Sequence, residues 1–397
     1  MNILFVTDNE ISPLQGGTER ITHTLAKEFL RSGHSCYSLF AEAICGDFPK
    51  SEFNAKQQIN YTNAQKVISD FYEKNKISHV IVNLVKYKNK KLLCPIIYET
   101  AHSKNIKVVC CYHAMPGEDF IGASLHNSVY KLFHRYQCKQ AVKDIILKLV
   151  PSFIWRGRAK RKYAVMPNNC DKFVLLSSNF YTSYAWWSGI NDFSKWENIP
   201  NALSFSEFLS VDQIGKKEKE VLIIARLDEV SKRLSLAMEV WREIEKNPAL
   251  NDWKLTIIGG GADEQYYRSI IHKYNLSRCS LLGRQKEIIP FYKKAAIFMM
   301  TSAYEGFGIT LIEAQQMGVV PIAFNSYASL QDIVMQKENG VIVQNNNVQE
   351  YVKELTHLMT KDEYRFSLAE RGLETCKRFQ QSEITERWLN LLENLDY

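Results

Sequence analysis

Short aliphatic runs bounded by turn residues alternate with stretches of helical period through most of the chain. Asn2–Thr7, Val80–Asn83, Val108–Cys111 and Phe173–Leu176 are predicted as buried strands in the first half. Val221–Ile224, Leu255–Ile258, Ser280–Leu282, Ile297–Met300, Val320–Ala323 and Val341–Val343 are predicted likewise in the second. Amphipathic stretches such as Thr18–Ser32 and Leu234–Glu245 lie between them. This alternation predicts an α/β protein with parallel, doubly wound sheets covered by helices on both faces. The pattern breaks at Ile199-Pro200-Asn201, and the charged Gln213–Glu220 precedes the next strand. The expected organisation is a first domain over 1–201, a linker over 202–218 and a second domain over 219–378. A terminal segment, 379–397, carries the amphipathic helix Ser382–Leu395 and is expected to pack back on the first domain. Two such domains leave one obvious place for a ligand, the cleft where the carboxyl ends of the sheets face each other.

At 397 residues the chain is long enough for two ordinary cores, and 46% apolar with 23% charged residues is a globular composition. The net charge of +7 suits an anionic ligand or surface without choosing one. Nine cysteines, scattered and without CxxC spacing, give neither a disulfide framework nor a zinc signature, so a reducing cytoplasm is expected. The opening MNILFVTD is a strand pattern rather than a secretory leader, and no window is apolar enough to span a bilayer.

Four motifs follow predicted strands. Gly16-Gly17-Thr18-Glu19-Arg20 opens a helix, where glycines permit close approach and free N–H groups face an anion; a plain turn is the alternative. It is not the GxGxxG fingerprint of nicotinamide enzymes. Gly259-Gly260-Gly261 lacks the Lys-Ser/Thr of a P-loop and is expected to be a turn with close packing. The strongest runs from Ser302 to Ala314. There Glu305 stands in a Gly-rich loop, Phe307, Gly308, Ile309 and Thr310 form a helix N-terminus able to hold a diphosphate, and Glu313 follows about one turn later. Two carboxylates beside an anion site suit sugar and ribose hydroxyls; a glycosidase pair would not need the helix N-terminus. Arg226, Lys232 and Arg233 follow the first strand of the second half, where cations would neutralise a leaving diphosphate. A solvated charged loop is the plainer alternative.

These residues resemble family 4 of the retaining glycosyltransferases, which share the GT-B fold of two Rossmann-like domains. Glu305 and Glu313 match its E-x7-E motif, and Arg226 with Lys232 resembles its diphosphate-binding pair. The pair's spacing is one residue longer than the commonest form, so Arg233 competes with Lys232 for the role. The Gly16-Gly17 turn, the strand ending at Ser177-Ser178, the NIPNALSF stretch and ENGVIV are similar to family patterns too. The resemblance implies that Arg226 and Lys232, with backbone around Phe307–Thr310, bind the donor diphosphate. It implies that Glu313 holds the ribose, Glu305 the donor-sugar hydroxyls, and His113 a place near the donor sugar. It implies no metal and no cofactor, the nucleotide-sugar being a substrate, with UDP favoured over GDP. The stretch PIAFNSYASLQDIV departs from the family's Gly-rich turn and leaves the sugar open. The implied activity is transfer of a hexose or N-acetylhexosamine to a saccharide or lipid-linked acceptor in polysaccharide or lipopolysaccharide synthesis. A non-catalytic nucleotide-sugar binder and another GT-B enzyme, such as a sugar-nucleotide epimerase, are the alternatives.

One feature lies outside these motifs. Residues 131–163 hold ten Lys/Arg against the single acid Asp144, with Leu147, Leu149, Val150, Phe153, Ile154 and Trp155 ahead of the cluster 156–162. Apolar anchors beside cations suit an anionic membrane surface, and a helix with a solvated face is the alternative. No nucleic-acid reader motif accompanies the charge.

Overall fold

The computed structural model describes all residues except 14–15, 44–50, 60–62, 84–92, 122–124, 135–141, 143–151 and 396–397. The chain divides into two units. Met1–Pro116, Ser152–Ser204 and Phe379–Tyr397 form one, and Gly117–Pro151 with Phe205–Arg378 form the other. The sequence pattern puts 1–201 in one piece, whereas the structure groups Gly117–Pro151 with the second unit. A cause is visible in the helix Leu125–His134, which sets Tyr130 edge-on to Tyr266 with ring centroids 5.0 Å apart.

The first unit is built on seven strands: β1 (Asn2–Asn9), β2 (Ser35–Glu42), β3 (Ala55–Gln58), β4 (His79–Asn83), β5 (Lys107–Tyr112), β6 (Lys172–Leu175) and β7 (Trp196–Asn198). Their order is β3-β2-β1-β4-β5-β6-β7, with every pair parallel. Helices cover both faces, so central strands are apolar throughout: Ile3, Leu4, Phe5 and Val6 in β1, and Val108 to Cys111 in β5, are fully buried. β2, β3 and β7 are additional to the four runs expected here, because their polar positions interrupt the aliphatic signal. The terminal helix Gln381–Glu393 belongs to this unit. Gln381 Nε2 donates to Leu203 O at 3.0 Å, and His79 Nε2 lies 3.2 Å from Leu392 O.

The second unit has six parallel strands: β8 (Glu218–Ile224), β9 (Lys254–Ile258), β10 (Cys279–Leu281), β11 (Ala295–Met300), β12 (Val320–Asn325) and β13 (Val341–Gln344). The order β10-β9-β8-β11-β12-β13 reverses between β8 and β11. Their connections therefore leave on opposite faces and open a crevice at the carboxyl ends of those two strands. The helix Leu234–Glu245 forms because Leu234, Ala237, Met238, Val240, Trp241 and Ile244 recur at helical spacing, and it buries all six. Trp241 and Trp253 are among the largest side chains fully buried here.

Two of the three glycines after β9, Gly259 and Gly261, have a packing role. A Cβ on Gly259 would stand 1.8 Å from the carbonyl oxygen of Ala225, and one on Gly261 would stand 2.2 Å from that of Leu227. Gly259 also holds φ at +150°. The β8 and β9 turns thus touch backbone to backbone, with Leu227 N donating to Gly260 O at 3.1 Å. Gly259→Ala is expected to cost about 2–4 kcal/mol through overpacking and strain, read as a lower urea midpoint for the chain.

Candidate functional site

At the switch point of the second sheet, the turn after β8 and the loop after β11 carry the predicted polar residues. After Asp228 the chain makes a four-residue helix, Glu229–Lys232, and reverses at Arg233 in the left-handed region, φ +49°. That reversal aims Lys232 at the β11 loop, where its Nζ lies 2.5 Å from Glu305 Oε1. Ser302 Oγ donates to the same oxygen at 2.6 Å. Both partners of the pair are mostly shielded, with 18% and 15% side-chain exposure, so removing either strands a poorly solvated charge. Arg226 differs. Its side chain is 67% exposed and touches Asp228 Oδ2 at 3.2 Å, an arrangement that costs little to re-aim toward an anion.

Arg233 is committed elsewhere. Its guanidinium donates to Thr301 O at 2.9 Å, Ser302 O at 2.7 Å, Asn346 Oδ1 at 2.5 Å and Asn345 Oδ1 at 3.1 Å. Burial lowers its pKa to about 10, which leaves it charged at neutral pH. It fastens the end of β11 to the β8 loop, while Lys232 meets the carboxylate.

The helix Ile309–Gln316 begins at Gly308, whose φ of +106° requires glycine; a Cβ there would stand 3.1 Å from the Tyr327 hydroxyl. Phe307 is buried beneath the turn, and Ile309 and Thr310 occupy the first helical turn, whose N–H groups lack intrahelical acceptors. Glu313 is fully buried, and its Oε2 accepts the Tyr292 hydroxyl at 3.0 Å. So Glu305 sits at the partly open loop, and Glu313 lies inside the helix packing. Ser326, in the stretch that departs from the family pattern, donates to Ser302 O at 2.6 Å and so buttresses the Glu305 loop. In ENGVIV, Asn339 is fully buried; it donates to Ile333 O and Thr375 Oγ1 and accepts from Met335 N, a packing role.

Gly16, Gly17 and His113 belong to the first unit. Gly16 caps the helix Gly17–Arg31 and is exposed, and a Cβ there would meet only the flexible end of Glu19. His113 follows β5, and its Nε2 is buried in a small pocket lined by Asn83, Cys111, Leu176, Asn201 and Trp388. Of the basic stretch, residues 135–141 and 143–151 lie outside the described residues, and with them Leu147, Leu149 and Val150. In its described part Arg158, Lys160 and Arg161 are exposed on the helix Ser152–Asn168. Trp155, Trp186 and Trp187 cluster beside them, with the Arg156 guanidinium 4.4 Å from the Trp186 ring centroid. Among the described residues no helix is long and apolar enough to cross a membrane.

The fold and site define a protein of two Rossmann-like units with a cation–carboxylate pair beside a helix start at a switch point. Residues 205–375 match the family described as Glycosyl transferases group 1. An uncharacterized glycosyltransferase of Haemophilus influenzae is 25% identical over 59% of this chain and 64% of its own length. A Campylobacter jejuni alpha-1,4-N-acetyl-D-galactosaminyltransferase, named for a diNAcBac-PP-undecaprenol-linked substrate, is 26% identical over 60% of this chain and 63% of its own. The chain thus spans a little under two thirds of these curated relatives. The crystal structure of Anabaena Alr3699/HepE in complex with UDP superposes with a TM-score of 0.69 at 15% identity, over 99% of this chain and 100% of that one. The fold is therefore GT-B, as the sequence resemblance implied.

Burial lowers the His113 pKa from 6.5 to about 4. The unfolded chain consequently binds more protons between those values. His113 contributes its full stabilisation above pH 6.5 and loses it as pH falls toward 4. Urea titrations between pH 7 and 4.5 should show a stability loss approaching about 3 kcal/mol that is reduced in His113→Gln.

Proposed function

We propose that the chain is a retaining glycosyltransferase that moves a hexose or N-acetylhexosamine from a nucleotide-sugar to a saccharide or lipid-linked acceptor. The observation that carries this reading is the Lys232–Glu305 pair, set between the exposed Arg226 and the Gly308 helix start. A donor diphosphate at that helix start meets N–H groups, Lys232 and Arg226, and the donor-sugar hydroxyls replace the ammonium at Glu305. Glu313 serves the ribose, directly or through the Tyr292 hydroxyl that it holds. The UDP bound by the structurally similar Anabaena protein favours UDP over GDP as the nucleotide of the donor. The PP-undecaprenol-linked substrate of the Campylobacter relative favours a lipid-linked acceptor.

In this mechanism the bond between the sugar's anomeric carbon and the diphosphate oxygen breaks as the acceptor hydroxyl attacks the same face. The acceptor's proton passes to the leaving phosphate oxygen, and the departing negative charge is stabilised by Arg226 and Lys232. His113 is assigned to the donor-sugar side. No metal is required, since the cations and helix start supply the positive charge.

Glu305→Gln and Arg226→Ala should each lower turnover by about 100-fold, the scale of one lost transition-state contact. Near-normal turnover in both refutes the assignment. UDP should raise the melting temperature selectively over GDP and ADP, and EDTA should leave the shift intact; a saturating ligand adds about 2.7 kcal/mol at 100 times its Kd.

A lipid-linked acceptor calls for a membrane contact. Arg158, Lys160 and Arg161, exposed beside the tryptophan cluster, suit an anionic bilayer on the cytoplasmic side at about 1 kcal/mol per basic residue. The chain should cosediment with phosphatidylglycerol vesicles at low salt and not with phosphatidylcholine vesicles. Equal behaviour with both overturns the membrane contact.

A further inference from the structure

Two buried carboxylates are not among the residues assigned to the ligand: Asp263, behind the loop that carries Arg226 and Lys232, and Glu229, within it. They are 2% and 6% exposed. Asp263 Oδ2 accepts the backbone N–H of Glu229 at 2.6 Å, while Asp263 N donates to Leu227 O at 3.2 Å. Asp228, at the cap position of the same short helix, makes no side-chain cap; its Oδ2 instead accepts from Ser231 Oγ at 3.0 Å and meets Arg226. The first turn of the Glu229–Lys232 helix is thus capped from another loop. Glu229 in turn caps the next helix: its carboxylate accepts Ser235 N at 3.2 Å, the Ser235 hydroxyl, and the Tyr267 hydroxyl at 3.0 Å.

These contacts fix both ends of a four-residue segment. Lys232 is its last residue, and Lys232 O accepts Thr301 Oγ1 at 2.9 Å on the far side. A short helix cannot hold its own geometry, because nucleation costs more than its few internal hydrogen bonds return. The placement of the Lys232 ammonium against Glu305 therefore depends on groups outside the segment. The close approach at Gly259 and Gly261 sets the distance at which Asp263 can reach the loop.

We infer that Asp263 is a positioning residue for the anion-binding loop: by capping Glu229 N from the β9 side, it holds Lys232 where a nucleoside diphosphate binds. The inference rests on the proposed donor site and assigns no contact between Asp263 and the ligand. Substituting Asp263 should weaken nucleotide binding by more than it unsettles the fold, and an amide should serve in place of the carboxylate, since the contact needs an oxygen acceptor.

The test uses the full chain, with UDP, GDP and ADP titrated calorimetrically into wild type and the best binder carried forward. Asp263→Ser places another residue favoured at helix starts before Glu264–Tyr274, a helix that the Asp263 side chain does not cap, but is too short to reach Glu229 N. It should raise the Kd about 10-fold or more, the factor that a lost charge-assisted hydrogen bond corresponds to. Asp263→Asn should stay within about threefold of wild type on the same scale. A wild-type Kd in Asp263→Ser, with or without a lower melting temperature, overturns the positioning role and leaves the donor site standing. Equal weakening in the Asn and Ser variants also overturns it, because the acceptor oxygen would then not be what matters. A wild-type chain that binds none of the three nucleotides refutes the donor site and this inference together.

Discussion

Two neighbouring parallel strands, β8 and β11, send their chains to opposite faces of the second sheet. That divergence follows from the order of the strands and the handedness of their crossovers. It leaves the carboxyl ends of both strands uncovered, and the chain places there the turn with Arg226 and Lys232 and the loop with Glu305. Everything polar in the second unit's site is organised around that gap. The glycines after β9 let one turn lie against another, Arg233 binds the end of β11, and Gly308 turns the chain into the helix that carries Glu313. These are separate devices, but each keeps a loop at the gap in one conformation.

The parts of this arrangement differ in how plainly the sequence displays them. Strands buried on both faces, such as Leu255–Ile258 and Ile297–Met300, announce themselves as aliphatic runs. β2, at Ser35–Glu42, does not, because serine and tyrosine interrupt it, and β3 and β7 are short strands at the sheet edges. The grouping of Gly117–Pro151 with the second unit depends on contacts such as Tyr130 with Tyr266, which no local pattern encodes. Within the site, residue types at loop positions pointed to Arg226, Lys232 and Glu305, since charges after buried strands stand out. The depth of Glu313 did not, because burial there depends on what packs over the helix. Asp263 was hidden for a different reason. An aspartate before a helix reads as an ordinary cap, and only three dimensions show that it caps another segment. Which of Lys232 and Arg233 faces Glu305 likewise depends on backbone geometry, the left-handed turn at Arg233.

The pairing of Lys232 with Glu305 has a consequence for selectivity. A cation and a carboxylate that satisfy each other form a locally neutral pair, so Lys232 by itself exerts little pull on stray anions. An inorganic phosphate that took the ammonium would leave the glutamate without its counterion. A free sugar that took the glutamate would leave the ammonium facing it. A molecule that brings an anion and hydroxyl donors on one framework compensates both losses at once. In the proposed donor site, the resting ion pair would thus act as a two-key lock, opened only when both halves of a ligand arrive together.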